Sequence, residues 1–316
     1  MSTVFITGAT GFIGRAECIK MLENGWKVKG AFRKKSAFSL LPVGVESVNL
    51  GPIENCNFRN QDFAGVDAVI HLAARVHVMG ADTAKSLDAF RKVNVLGTER
   101  LARTAAKIGV KRFIFISSVK VNGEGAEKPY TENDTPAPED AYGLSKREAE
   151  DSLAGIASET GLEVVILRLP LVYGPGVKAN FKNLIKIAGA GLPLPFKGIR
   201  NLRSFLYLGN LVDAVMTCVQ HPKAVGETFM VSDGQDVSTP DLIKMIASAM
   251  NRKPILFSLH FSILNALCKI TGKAKEMEKL TGSLFVDNSK IRNLLGWKPP
   301  FTLEEGIKAT VKYYKS

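Results

Sequence analysis

Short apolar runs alternate with helix-compatible segments through the first half of the chain. Such runs are typical of buried strands, and their alternation with helices indicates a parallel sheet covered on both faces. Gly25 follows the first helical segment, where a helix is expected to end. The predicted strands are Val4–Thr7, Lys27–Phe32, Val45–Leu50, Asp67–Leu72, Arg112–Ser117 and Glu163–Leu169, and the first helix runs from Phe12 to about Asn24.

The pattern changes after Pro170, where loop-rich sequence is followed by shorter helical stretches. We therefore expect an α/β fold: a doubly wound parallel sheet of the Rossmann type with a smaller C-terminal lobe. Later helices are predicted over Leu211–His221 and Thr239–Met250. The expected main domain is residues 1–170, with 200–225 returning to it, and the expected lobe is residues 171–199 and 226–316.

Composition fits a globular protein, with 316 residues of which 46% are hydrophobic and 23% are charged. The longest apolar region, residues 257–270, is interrupted by polar side chains and is shorter than the about 20 residues a membrane-spanning helix needs. The N-terminus lacks the basic and apolar regions of a secretory signal. We therefore expect a cytoplasmic protein that does not insert into membranes.

The net charge of +12 is compatible with an anionic ligand, nucleic acid, an acidic membrane surface or solubility alone. Basic residues are scattered, with no run longer than three, so we expect no nucleic-acid partner. The four cysteines form no C-x-x-C pair and show no zinc-motif spacing to a histidine, so we expect reduced thiols and no metal site. They are Cys18, Cys56, Cys218 and Cys268.

Three glycines follow the first predicted strand at G-x-x-G-x-x-G spacing and open the first helix. They are Gly8, Gly11 and Gly14. Glycine permits the tight turn and the close approach of a pyrophosphate, and the helix N-terminus offers N–H groups and a positive dipole end. Because strand, turn and helix come in the required order, the motif predicts a dinucleotide site.

The end of the second strand indicates which dinucleotide binds. An acidic residue there would hold the ribose hydroxyl of NAD, whereas this chain has Arg33-Lys34-Lys35. Cations suit a 2′-phosphate, so NADP(H) is favoured and NAD remains the alternative.

Tyr142 and Lys146 form a Y-x-x-x-K motif between the fifth and sixth strands, on one face of a predicted helix. We expect the ammonium to lower the pKa of the phenol, so that Tyr142 exchanges a proton with a substrate hydroxyl as hydride moves. Ser118 ends the fifth strand at the same sheet edge and is placed to bind the reacting oxygen.

The fourth strand ends in His71-Leu72-Ala73-Ala74, where small residues let the backbone approach a ligand. A histidine at the end of an apolar strand is more often a core residue than an acid–base group, and we interpret His71 in that way. Arg75 and His77, just beyond, are candidates to line the pocket.

With these motifs in place, the chain resembles the extended short-chain dehydrogenase/reductases of the nucleotide-sugar epimerase/dehydratase group. The matching stretches lie in the family's order over most of the chain. They are TGATGFIG (7–14), DAVIHLAA (67–74), NVLGTERL (94–101), FISSVKVNG (115–123), YGLSK (142–146), LRLPLVYGPG (167–176), RSFLYLGNLVDA (203–214) and LGWKPPFTLEEGI (295–307).

The resemblance implies that Ser118, Tyr142 and Lys146 are the catalytic set and that Asn180 and Arg203 contact a nucleotide diphosphate. It also implies a cofactor site formed by the glycine loop, the catalytic pair and the neighbouring strand ends. The complete predicted set is Gly8, Gly11, Phe12, Ile13, Gly14, Arg33, Lys34, Leu50, Leu72, Ala73, Ala74, Asn94, Tyr142, Lys146 and Pro170.

Three departures from the family pattern narrow the reaction. Dehydratases of the family have Asp-Glu after the serine or threonine, and here Val119-Lys120 follows Ser118, which argues against a dehydratase. Asn122 stands where the family usually has a tyrosine before the following glycine. The Arg…Asp pair that binds the nucleotide in the C-terminal part of typical epimerases is not evident here.

Two reactions on a nucleotide sugar remain, both at C4 of a hexose that is expected to be UDP-linked. The first is reduction of a 4-keto sugar with NADPH, and the second is 4-epimerisation with retained NAD. A dehydrogenase of non-sugar alcohols and a non-catalytic cofactor-binding protein are further alternatives. The resemblance points to sugar biosynthesis for lipopolysaccharide or surface polysaccharide, and the sequence leaves open whether the chain forms a homodimer.

Overall fold

The computed structural model describes residues 1–56, 58–76, 83–125, 127–259 and 274–315, without the side chains at 83–85, 179–180, 274–276 and 279. Seven parallel strands form the central sheet. They are β1 (Thr3–Thr7), β2 (Lys27–Phe32), β3 (Glu46–Asn49), β4 (Ala68–His71), β5 (Arg112–Ser118), β6 (Glu163–Leu169) and β9 (Thr228–Met230). Their order in the sheet is β3-β2-β1-β4-β5-β6-β9, which confirms the predicted doubly wound α/β fold.

Helices cover both faces of the sheet, and a shorter parallel pair, β7 (Leu171–Tyr173) with β8 (Phe205–Tyr207), lies outside it. Among the described helices, none combines the length and apolar character needed to cross a membrane. The helices are α1 (Phe12–Glu23), α2 (Thr83–Phe90), α3 (Gly97–Ile108), α4 (Ala141–Thr160), α5 (Ala179–Gly189), α6 (Leu208–Gln220), α7 (Thr239–Ala249), α8 (Ala274–Thr281), α9 (Ser289–Leu295) and α10 (Leu303–Lys315).

Alternation along the strands divides the core into two layers. On β1, Val4 and Ile6 pack in a cluster with α1 and α6, while Phe5 packs in a second cluster with α3 and α4. Successive strand side chains point to opposite faces, so both faces must be apolar to be covered. The nearly continuous apolar strands of the sequence follow from this burial on both sides.

The second half of the chain returns to the sheet over a longer stretch than expected. Helix α6 packs on α1, within the predicted return at 200–225. Strand β9 then pairs with β6, with Leu167 opposite Phe229, although residues 226–316 were expected in the smaller lobe. The physical reason is that Phe229 is fully buried against the side chains of the α1–α6 layer. A separate cluster around Tyr173, Phe205 and Ile243 contains no residue of the seven-stranded sheet.

Glu17 is an exception in the packing of α1. Both carboxyl oxygens are buried and have no hydrogen-bond partner among the described residues. Burial raises the pKa of Glu17 well above its ordinary value of 4.5, and the charge of Lys20 offsets this only in part. The folded protein therefore binds the Glu17 proton more tightly than the unfolded chain does. Above the pKa of Glu17 in the unfolded chain, this difference lowers the free energy of unfolding as pH rises, until the folded-state pKa is reached.

We expect Glu17→Met to stabilise the protein, because it removes a buried polar group that lacks a partner. The gain should be about 1–3 kcal/mol near pH 5 and larger near pH 8. Thermal or denaturant unfolding at both pH values measures it. Glu23→Met, at the exposed end of the same helix, is the control and should change little. Equal gains at the two pH values would contradict preferential protonation of Glu17 in the folded state.

Candidate active site

The glycine loop lies where β1 meets α1 at the carboxyl edge of the sheet. Gly8 has φ +68°, and a Cβ there would lie 3.0 Å from the amide nitrogen of Ala73 after β4. A Cβ at Gly14 would collide with the Gly8 carbonyl oxygen and lie 2.8 Å from the Cα of Ala9. The loop therefore needs glycine at both positions, one for its conformation and both for close backbone packing.

The start of α1 is open to an anion. Its N-cap is Gly11, which provides no side-chain cap, and the first turn contains no acidic residue. Unpaired N–H groups and the positive end of the helix dipole suit a pyrophosphate. The cradle therefore fits the dinucleotide predicted from the sequence, with Phe12 and Ile13 half-buried in the first turn.

Arg33, Lys34 and Lys35 are exposed directly after β2. None of them forms a salt bridge with another described residue, so their charge is available to a ligand. Leu50, half-buried after the neighbouring strand β3, borders the same edge.

His71 is buried, and both ring nitrogens are bonded, Nδ1 to the Thr7 hydroxyl at 2.6 Å and Nε2 to the Thr98 hydroxyl at 2.9 Å. Thr98 donates its only proton to the Asn94 carbonyl, so Thr98 accepts from Nε2–H and Thr7 donates to Nδ1. Burial, together with the charge of Lys146, lowers the pKa of His71 to about 3. His71 is therefore neutral and holds Thr7, as expected for a core histidine.

The same Thr7 hydroxyl accepts the N–H groups of Leu72 and Ala73, at 3.2 and 3.1 Å. This fixes the backbone after β4 against the glycine loop. Ala74 follows half-buried, and Pro170 is buried after β6 at the same edge of the sheet. These predicted cofactor-lining positions therefore lie along one edge.

Asn94 lies in a π-helical segment, Arg91–Leu96, between α2 and α3. Its amide donates to the Ser145 hydroxyl at 2.9 Å and to the Arg75 carbonyl at 3.1 Å, and its oxygen accepts the Arg75 N–H at 2.8 Å. Asn94 thus links the segment after β4 to helix α4. His77 lies outside the described residues, and the side chain of Arg75 is exposed.

Helix α4 begins at a capped and closely packed N-terminus. The Asp140 carboxylate accepts the Gly143 N–H at 2.6 Å, and its other oxygen is 2.6 Å from the Lys120 ammonium. A Cβ at Gly143 would lie 2.6 Å from the Lys120 carbonyl oxygen, so only glycine allows this approach. The turn that carries Tyr142 is therefore joined to the segment after β5.

Ser118 ends β5 at that junction. It is 9% exposed, and its hydroxyl oxygen accepts the Lys120 N–H at 3.3 Å. The Lys120 ammonium also pairs with Glu124 at 2.5 Å. Ser118 and Tyr142 are thus placed on two elements that Lys120 connects through both its backbone and its side chain.

Lys146 is 2% exposed and turns toward β5. Its ammonium donates to the Ile116 carbonyl at 2.7 Å and lies 4.4 Å from the centroid of the Phe115 ring. Burial lowers the pKa of Lys146 to about 7, and the charge of Glu150 offsets part of this effect.

The expected direction of the Tyr142 pKa is wrong for this structure. Burial first, and the negative charge of Asp140 second, raise the pKa of Tyr142 above its ordinary value of 10. The expectation relied on the ammonium of Lys146, which instead bonds to Ile116. The phenol is therefore protonated at neutral pH.

Arg203 lies at the lobe side, where its backbone pairs with Val237. Its guanidinium donates to the Gly282 carbonyl at 3.1 Å and forms no salt bridge among the described residues. Burial lowers the pKa of Arg203, with a partial offset from Glu124. A half-buried cation of this kind suits an anionic group. The side chain of Asn180 lies outside the described part.

The sequence did not single out Arg168 and Glu150, two buried residues that form an ion pair beneath the candidate site. Arg168 on β6 forms a salt bridge of 2.6 Å with Glu150 on α4 and donates to Asn122 at 3.1 Å. Ser117 donates to the same carboxylate. The available signal was a charged residue, Arg168, within the apolar strand EVVILRL.

A family model described as the NAD dependent epimerase/dehydratase family matches residues 4–232. The chain belongs to the NAD-dependent epimerase/dehydratase family. The resemblance to the extended short-chain dehydrogenase/reductases is thereby confirmed.

Relatives of this epimerase/dehydratase-family enzyme match along nearly its whole length. A UDP-glucose 4-epimerase of Vibrio cholerae is 42% identical over 99% of this chain and 95% of the relative. An N-acetyl-alpha-D-glucosaminyl-diphospho-ditrans,octacis-undecaprenol 4-epimerase of Escherichia coli O157:H7 is 27% identical over 98% and 94%. The crystal structure of a Thermotoga maritima UDP-glucose 4-epimerase with UDP-glucose is 26% identical, with a TM-score of 0.78 over 99% of this chain and 98% of that one.

In this family member, we expect Gly14→Ala to weaken NADP and NAD binding at least about tenfold, a change of 1.4 kcal/mol. The added methyl collides with backbone that cannot move without opening the loop. Calorimetric titration measures the affinity. Gly155→Ala on α4 is the matched control, because nothing lies within 4 Å of the added Cβ, and it should bind normally. If Gly14→Ala binds NADP and NAD as tightly as the wild type does, the glycine loop is not part of the cofactor site.

Proposed function

We propose that the enzyme reduces the 4-keto group of a nucleotide sugar with NADPH. The observation that carries this proposal is the junction through which Lys120 joins the end of β5, at Ser118, to the first turn of α4, which contains Tyr142. Burial raises the pKa of Tyr142, so its phenol is protonated. A protonated phenol is a general acid, which is what carbonyl reduction needs.

The chain's own groups perform the proton transfer. When bound, NADPH supplies the hydride for the carbonyl carbon. Ser118 donates a hydrogen bond to the carbonyl oxygen, and Tyr142 gives its proton to that oxygen as negative charge develops there. Lys146 lies one turn later on α4 and, with a pKa of about 7, holds or releases a proton near neutral pH.

One feature favours reduction over epimerisation. The exposed cations after β2 suit the 2′-phosphate of NADPH, and a reductase releases and replaces this cofactor in each cycle.

The second candidate function is 4-epimerisation with retained NAD, which the 42% identity to the Vibrio cholerae UDP-glucose 4-epimerase favours. The two reactions differ in their use of cofactor. Reduction consumes one NADPH for each sugar, whereas epimerisation converts a UDP-sugar into its C4 epimer with no net consumption.

We propose a UDP-linked hexose as substrate because the names of relatives specify UDP-glucose. Arg203 is proposed to contact its diphosphate, together with Asn180. By the resemblance, the product serves the synthesis of surface polysaccharide or lipopolysaccharide.

We expect Tyr142→Phe to lower kcat at least about 100-fold, because the general acid is removed. NADPH binding should stay near the wild-type level. The assay follows NADPH consumption with a UDP-4-keto hexose and, in parallel, conversion of UDP-glucose into its C4 epimer. The control is Tyr314→Phe on α10, which removes a phenol that donates to the Val177 carbonyl. Activity retained by Tyr142→Phe would contradict the proposal, and epimer formation without NADPH consumption would favour the second candidate.

We expect Arg33→Asp to shift cofactor preference from NADP toward NAD by at least about tenfold, since a carboxylate repels the 2′-phosphate and accepts ribose hydroxyls. The measurement is the ratio of kcat/KM with the two cofactors. Lys27→Asp, an identical change of charge at the exposed opposite end of β2, is the control. If both variants behave alike, the basic turn does not contact the cofactor.

A further inference from the structure

Two segments of the lobe pair to form an exposed ridge that the proposed reaction does not use. The Leu194 N–H donates to the Ile255 carbonyl at 2.8 Å, and the Phe257 N–H donates to the Leu194 carbonyl at 3.1 Å. The Lys197 N–H donates to the Phe257 carbonyl at 3.1 Å. We name residues 191–202 and 251–258 together the basic–apolar face.

Alternation along this ridge leaves large apolar side chains in water. Leu194 and Leu256 are half-buried and pack on the lobe cluster. Ile255 and Phe257, on either side of Leu256, point the other way and are 54% and 42% exposed, and Leu192 is 64% exposed. Apolar side chains grouped in this way mark interaction sites, whereas scattered ones do not.

Every charged residue of the face is basic. Lys197, Arg200, Arg252 and Lys253 are all exposed, and neither segment contains an aspartate or glutamate. Asp241 borders the cavity that Lys197 and Arg200 line, and it is paired with Lys244 at 2.9 Å. The local charge is therefore strongly positive and matches a negatively charged surface.

We propose that the basic–apolar face docks on an anionic phospholipid bilayer. Aliphatic and aromatic side chains enter the headgroup region while the surrounding lysines and arginines contact phosphates. A second copy of the chain is disfavoured, because a two-fold interface would place four cations opposite four cations. The exposed side chains are also mainly aliphatic, which does not suit the base stacking of a nucleic-acid site.

Flotation with vesicles tests the proposal on the full chain. We expect binding to vesicles of phosphatidylglycerol with phosphatidylcholine, little binding to phosphatidylcholine alone, and weaker binding as salt is raised. Lys197→Glu with Lys253→Glu should weaken binding at least about tenfold, since each cation near the surface contributes about fivefold. Ile255→Ser with Phe257→Ser should weaken it by a similar factor or more.

Matched controls change the same residue types elsewhere. Val43 and Leu40 are 98% and 48% exposed, and Val43→Ser with Leu40→Ser should leave vesicle binding intact. Lys107→Glu with Lys111→Glu repeats the charge change on another exposed surface. Thermal unfolding shows that each variant is folded, and light scattering gives its mass.

Three results would overturn the proposal. They are equal binding to both kinds of vesicle, the same loss in the control variants, and a change of oligomeric mass in Ile255→Ser with Phe257→Ser. The last would assign the face to a protein interface. None of these readouts depends on sugar chemistry, so the proposal stands or falls separately from the proposed function.

Discussion

Arg168 and Glu150 form an ion pair whose side chains are 5% and 4% exposed, and this pair joins helix α4 to the central sheet. Glu150 lies one turn after Lys146, so the contact fixes the rotation of α4 about its axis as well as its height on the sheet. Removing one partner of a buried pair leaves an uncompensated charge and costs about 3–5 kcal/mol. The positions of Tyr142 and Lys146 therefore depend on an ion pair outside the proposed catalytic set.

Burial shifts the pKa values of the two proposed catalytic side chains, Tyr142 and Lys146, in opposite directions. It raises the pKa of Tyr142 and lowers the pKa of Lys146 to about 7, so both groups favour their neutral forms. Stabilisation of a phenolate by an ammonium would require the two groups to face each other, but Lys146 bonds to the Ile116 carbonyl instead. Desolvation therefore outweighs attraction between charges, and the proton rests on the phenol.

Local features of the sequence were sufficient to predict the first six strands and the glycine loop, because apolar runs and backbone-permissive glycines act within a few residues. The return of β9 was missed because three residues give too short a pattern, and its burial depends on β6. Arg168 was visible as a charge within an apolar strand, but its partner lies 18 residues away in sequence. The pKa direction of Tyr142 depended on where Lys146 points, which spacing alone does not specify.

The net charge of +12 has a structural distribution that composition could not reveal. One group of cations, Arg33, Lys34 and Lys35, follows β2 at the edge where the cofactor is predicted to bind. A second group surrounds Ile255 and Phe257 on the lobe, where cations and exposed apolar side chains belong to one paired ridge. A soluble dinucleotide needs only cations and hydrogen-bond donors, since its phosphates bind through charge and hydrogen bonds. Exposed apolar side chains gain nothing from such a ligand, so the second group calls for a partner that has both negative charge and a hydrocarbon interior.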